Sequence, residues 1–280
     1  MRSQGCFVAS LYQIVRRRTQ LSGVPRENGS QKGVIVPEGP SLVILREETA
    51  SFVGKKIVRA EGNTRALDLD SLAGKRIESL RSWGKHFIIE TKDVNLRIHF
   101  MLFGSYRINE RKEDKIPRMS LQFAEGSEIN FYACSVKPIE QDLDAQYDWD
   151  ADIMSPTWDP AKARKKLRVQ PGRLACDALL DQTIFAGVGN IIKNEVLFRI
   201  RLHPLSIIGA LSPKLRQLVE QARQYSFDFL EWKKAFVLRK HWLAHKKTIC
   251  PRCDIAFSKG HLGVTRRRSF YCERCQKRYD

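Results

Sequence analysis

The spacing of apolar residues along this chain changes period twice. After Val36-Pro37-Glu38-Gly39-Pro40-Ser41, the residues Leu42, Leu45, Phe52 and Val53 fall near one helical face. Pro40 suits the first turn of that helix and Gly54 can end it. From 56 to 140 the period is two. Alternation predicts strands at 56–60, 87–91, 95–102, 119–123 and 128–133, with turn signals at Lys92-Asp93 and Glu125-Gly126. Several short strands of this kind predict a sandwich. From Pro156 the period becomes helical. Helices are expected at 160–169, 174–180, 190–200 and 213–241, the last opened by Ser212-Pro213. The acidic stretch 141–159 is the expected connection between a β half and an α half. The fold class is therefore α+β, and no internal repeat is present.

Composition narrows the function classes. Of 280 residues, 49 are Lys or Arg and 31 Asp or Glu, a net charge of +18. A field of that sign concentrates polyanions, which makes nucleic acid the first partner to consider. The surplus is uneven: residues 239–280 hold twelve basic and three acidic residues, interleaved with Trp242, Phe257, Phe270 and Tyr271. At 42% hydrophobic and 29% charged, wholesale disorder is excluded. No apolar run approaches the ~18–20 residues that span a bilayer.

Seven cysteines carry the next signal. Cys250-Pro-Arg-Cys253 and Cys272-Glu-Arg-Cys275 are separated by eighteen residues. Two such knuckles on a hairpin place four sulfurs in a tetrahedron, which suits one structural Zn²⁺. Two disulfides are the competing reading, disfavoured without a secretion signal. Cys134 and Cys176 lie in apolar contexts and read as packing residues.

Four motifs, in this order, resemble one known family: Val-Pro-Glu-Gly-Pro at 36–40, Ser-Trp-Gly-Lys-His-Phe at 82–87, Leu-Leu-Asp-Gln with Gly-Val-Gly-Asn-Ile-Ile-Lys-Asn-Glu at 179–195, and the four-cysteine ribbon ending Arg-Arg-Ser-Phe-Tyr-Cys-Glu-Arg-Cys. Over residues 36–280 the chain resembles the formamidopyrimidine-DNA glycosylase and endonuclease VIII family, and more closely the endonuclease VIII branch.

The resemblance implies a bifunctional DNA glycosylase and abasic-site lyase acting on oxidised bases, chiefly pyrimidines. It implies a catalytic β-sandwich domain at 36–150, a helix–two-turn–helix domain at 151–245 and a zinc ribbon at 246–280. Pro37 matches the family's N-terminal proline nucleophile. An α-amine near pKa 7.7–8.0 leaves about a tenth of itself unprotonated at pH 7, far more than an average lysine. Glu38 matches the general acid–base residue and Lys85 the hairpin lysine that holds a phosphate. Asn190 matches the helix–two-turn–helix asparagine, and its helix is expected to offer free N–H groups to a phosphate. Arg267 matches the phosphate-gripping ribbon arginine. Met101, Leu102 and Phe103 match the segment that fills the gap left by a flipped nucleotide; from pattern alone they read as a core strand. The implied partner is damaged double-stranded DNA, bound by a monomer in the bacterial cytoplasm, with no membrane contact.

One feature departs from the family. Thirty-five residues and Val36 precede Pro37, whereas the family's proline is the second residue. With Val36 attached, the Pro37 nitrogen is a tertiary amide without a nucleophilic lone pair. The favoured reading is a true start at position 36, from a valine-type codon, with loss of the initiator residue. A cleaved transit segment is the second reading. The third is a genuine extension on a non-catalytic, damage-binding relative.

Overall fold

The computed structural model describes residues 37–280, so the readings of the segment before Pro37 lie outside the described residues. Helix α1 (Gly39–Glu48) leads into six strands: β1 (Ile57–Glu61), β2 (Ile77–Trp83), β3 (His86–Thr91), β4 (Asn95–Ile108), β5 (Met119–Phe123) and β6 (Glu128–Ile139). All pair antiparallel in the order β1-β5-β6-β4-β3-β2. The two edge strands meet through a bridge between Lys56 and Arg76. The sandwich expected from the sequence is thus one sheet folded over on itself. Its single core takes side chains from all six strands, together with Leu42 and Leu45 of α1.

Three strands depart from the expectation by more than one residue, each for a local reason. Strand β2 was not expected, because a register shift between Ile77 and Ser79 breaks its period: residues 77, 80 and 82 are buried. Strands β4 and β6 continue past 102 and 133. Their alternation is interrupted where Phe100 pairs with Cys134 but Ser105 pairs with Tyr132. Four residues on β4 therefore oppose Ala133 alone, a large bulge.

The acidic stretch 141–159 joins the two halves as a packed connection. It contains α2 (Leu143–Gln146), capped by Asp142, and buries Leu143 and Tyr147 against Ile88. The helical half follows: α3 (Pro160–Arg168), capped by Asp159, the single turn α4 (Ala175–Ala178), α5 (Asn190–Arg199) and α6 (Leu215–Lys234). The last helix is shorter than the expected 213–241. The chain breaks at Phe236, at φ 59°, and resumes as a short 3-10 turn at Leu238–His241. The helical half has its own core, which includes Cys176, while Cys134 belongs to the sheet core. Helix α1 is buried from Gly39 to Leu45, where it lies between the halves, with Val43 and Ile44 packed on Leu230 of α6, and is exposed at 46–48. A hairpin of β7 (Ser258–Leu262) and β8 (Arg267–Tyr271) forms the ribbon.

Candidate active site and nucleic-acid interface

Glu38 is the N-cap residue of α1, yet its carboxylate caps a different helix. It reaches the start of α5 and accepts from Ile191 N (2.7 Å), Gly189 N (3.1 Å) and Ile192 N (3.2 Å). The side chain is 2% exposed. Burial pushes its carboxyl pKa up, against the opposing pull of Lys85 and the three amides. The expectation of free α5 N–H groups for a phosphate is corrected here, since Glu38 occupies the amides of 191 and 192. The positive end of the helix serves an internal anion. Pro37 precedes this residue and is half-buried.

Close backbone approach makes this reach possible. Gly39 N donates to Gly187 O (2.8 Å). A Cβ on Gly39 would stand 2.8 Å from the Gly187 Cα, and one on Gly187 3.1 Å from the Gly39 Cα. Gly187 has φ +101°, a conformation suited to glycine. The β2–β3 turn joins at the same point, with Gly84 against Gly187 and Ala186. That turn carries Lys85. Burial pushes the Lys85 amine down; Glu38 raises it and Arg267 lowers it further. The acid, the lysine and the ribbon arginine therefore share one electrostatic neighbourhood.

Arg267 begins β8 and is exposed. The next carbonyl, of Arg268, accepts from Asn190 Nδ2 (3.0 Å), Lys193 Nζ (3.2 Å) and Asn194 Nδ2 (3.2 Å). Asn190 thus stands at the joint between α5 and the ribbon, beside Arg267. Met101, Leu102 and Phe103 lie in the β4 bulge, 60%, 54% and 65% exposed, which corrects the core-strand reading that pattern alone favoured. They start two residues beyond His99, which pairs with His86, the neighbour of Lys85.

The four cysteines of the ribbon converge. Their sulfurs lie within 4.8 Å of one another, and the Cys250 and Cys275 sulfurs are 3.8 Å apart. A tetrahedral ion with metal–sulfur bonds of about 2.3 Å needs sulfurs about 3.8 Å apart, so the cluster fits Zn²⁺.

Residues 36–134 match the formamidopyrimidine-DNA glycosylase N-terminal domain, and residues 152–225 the formamidopyrimidine-DNA glycosylase H2TH domain. The protein named DNA-(apurinic or apyrimidinic site) lyase Nei2 of Mycolicibacterium smegmatis is 30% identical, over 67% of this chain and 76% of that one. This chain belongs to the formamidopyrimidine-DNA glycosylase and endonuclease VIII family. Endonuclease 8-like 3 of Mus musculus is 35% identical over 69% of this chain, which spans only 33% of that relative's length. A solved formamidopyrimidine-DNA glycosylase of Lactococcus lactis, bound to DNA containing an abasic site, shares the fold. It has a TM-score of 0.75 and 24% identity, over 86% of this chain and 100% of that one.

Within this family fold, several buried polar groups around Glu38, Lys85 and the ribbon joint escaped sequence reasoning. Lys193, Asn194 and Glu195 are buried side by side at 0%, 1% and 0% exposure. Lys193 donates to Ser269 Oγ (2.8 Å), and burial pushes its amine down to about 8. Glu195 accepts from the amides of Leu243, Ala244 and His245. Asp152 receives the amides of Met154 and Gly84, and burial pushes its carboxyl up to about 6. Three polar residues inside the apolar run Ile-Ile-Lys-Asn-Glu-Val-Leu-Phe were the available signal for the first group. Nothing local marks Asp152. Among the described residues no helix is long and apolar enough to cross a membrane.

Proposed function

We propose that this protein is a bifunctional DNA glycosylase and abasic-site lyase of base excision repair, acting on oxidised bases, chiefly pyrimidines. The observation that carries the reading is Glu38: a buried acid with a raised pKa, beside Pro37 and within the electrostatic reach of Lys85. The nitrogen of a free Pro37 attacks C1′ of the damaged nucleotide, the base leaves with the bonding pair, and the proton shed by the Pro37 nitrogen neutralises the departing base. Glu38 gives its proton to the sugar ring oxygen, the ring opens, and an iminium remains on Pro37. Loss of a C2′ proton then expels the 3′ phosphate and nicks the strand; a second elimination expels the 5′ phosphate, and water hydrolyses the iminium to free Pro37 from the sugar fragment. Lys85, Asn190 and Arg267 hold the phosphates that flank the flipped nucleotide, Arg267 by a bidentate contact. Met101, Leu102 and Phe103 fill the vacated space in the duplex. One zinc ion, held by Cys250, Cys253, Cys272 and Cys275, has no open position for substrate and fixes the ribbon. The protein acts as a monomer on damaged duplex DNA in the bacterial cytoplasm. The name of the mycobacterial relative, an abasic-site lyase, supports the lyase half of this reading.

Borohydride trapping on duplexes carrying oxidised pyrimidines, oxidised purines or an abasic site tests it. A chain beginning at Pro37 is expected to form a covalent adduct, and a chain that retains Val36 is expected to form none. An adduct that persists with Val36 attached would move the nucleophile away from the Pro37 nitrogen. A Pro37-start chain that binds damaged duplex yet never traps would establish the non-catalytic, damage-binding reading instead.

A further inference from the structure

We infer that Asp177 is a positioning residue that sets the pose of Arg267, an assignment resting on the reading of Arg267 as a phosphate contact. Arg267 stands at the mouth of a four-residue turn, Gly263 to Arg266, that joins β7 to β8. A two-stranded hairpin has little stability of its own, so its tip moves unless something outside it holds the turn. Asp177 does so from the single helical turn α4. Its carboxylate accepts from Val264 N (3.0 Å), Thr265 N (3.0 Å) and Thr265 Oγ1 (2.8 Å), and the residue is 2% exposed. The fit is close: a Cβ on Gly263 would collide with this carboxylate.

The grip lies two residues before Arg267. The other fixed points follow it, at Arg268 O and Ser269 Oγ, where Lys193 and the α5 asparagines dock. Arg267 is therefore pinned on both sides. The backbone cannot swing its guanidinium away from Lys85 and Lys193, whose amines burial pushes down and its charge pushes down further. Buried charged hydrogen bonds of this type are stiff and roughly twice as strong as neutral ones. Preorganisation of the arginine spares the ordering cost that a loose hairpin would meet on binding DNA. Asp177 touches no substrate in this scheme and acts only through the turn.

The test uses the full chain and a duplex containing a tetrahydrofuran abasic analogue, which is bound without reaction. Binding is measured across salt concentrations for wild type, Asp177→Ala, Arg267→Ala and the double variant. Each phosphate contact contributes about 0.9 to the slope of log K against log salt. Arg267→Ala is expected to lower the slope by about that amount and to weaken binding about tenfold. Asp177→Ala should do the same, and the double variant should bind no more weakly than Arg267→Ala alone. Zinc content is measured alongside; where Asp177→Ala loses zinc, Asp177→Asn replaces it and the same slopes decide. A wild-type slope in the Asp177 variant beside a reduced slope in Arg267→Ala would overturn the positioning role and leave the arginine's role intact. Additive losses in the double variant would also overturn it. An unchanged slope in Arg267→Ala would remove the phosphate contact itself.

Discussion

Two histidines show how burial at single residues becomes a property of the protein. Burial pushes the His86 imidazole down to about 3, with His99, Arg97 and Lys85 adding to the effect. Burial does the same to His245, helped by Lys246 and Lys193, again to about 3. An unfolded histidine titrates near 6.5. Between those values the unfolded chain binds more protons than the folded one, so this stability is full above about pH 6.5 and is lost as the pH falls. From about pH 7.5 to 5.5 the loss is about 1 kcal/mol per histidine. Glu38 and Glu195 act in the opposite sense, because burial makes the folded chain hold their protons more tightly. Urea denaturation at the two pH values should therefore compare wild type with His245→Gln. The variant is expected to lose less stability on acidification by about 1 kcal/mol, and an equal loss in both would refute the burial account.

At the scale of elements, the decisive contact is the junction of α1, the β2–β3 turn and the turn before α5. Gly187→Ala is expected to destabilise the protein by about 2 kcal/mol, chiefly from positive-φ backbone strain, with a tight approach to the Gly39 backbone beside it. Gly172, with open space around it, serves as the control, and Gly172→Ala should change urea stability little. Equal effects of the two substitutions would deny the junction its role. The sequence displayed the ends of this contact but not the contact. Gly-Val-Gly-Asn and Val-Pro-Glu-Gly-Pro stood out as motifs, yet nothing in a linear pattern joins residue 38 to residues 189–192. Period carried the regular strands well: β5 begins and ends where alternation placed it. It failed where a bulge shifts the register, as at Ile77 and in the segment 101–104. Those failures have one cause. An extra residue moves later side chains to the other face, and a period-two template then finds no strand. The same interruption that hid half of β4 is what exposes Met101, Leu102 and Phe103.

The whole molecule depends on a ribbon with hardly any core. Its buried cluster is Ala244, Cys250, Phe257 and Cys272 with Phe198 of α5, and two of the five belong to the four-cysteine cluster. Removing zinc with a chelator should release about one ion per chain and collapse the ribbon. Duplex affinity and its salt dependence should fall together, while far-UV circular dichroism keeps the helical signal of α5 and α6. Undiminished binding by metal-free protein would show that the ribbon does not grip DNA. The basic surplus of residues 239–280 then has a physical location, on a module that the four-cysteine cluster and α5 hold jointly. The Glu38 clasp adds a relation between chemistry and grip. A carboxylate accepts the three α5 amides more strongly than the neutral acid does. In the proposed mechanism Glu38 passes from the acid to the carboxylate as it protonates the sugar ring oxygen. On that proposal the clasp between Glu38 and the start of α5 tightens as the sugar ring opens and loosens when the same side chain is protonated again.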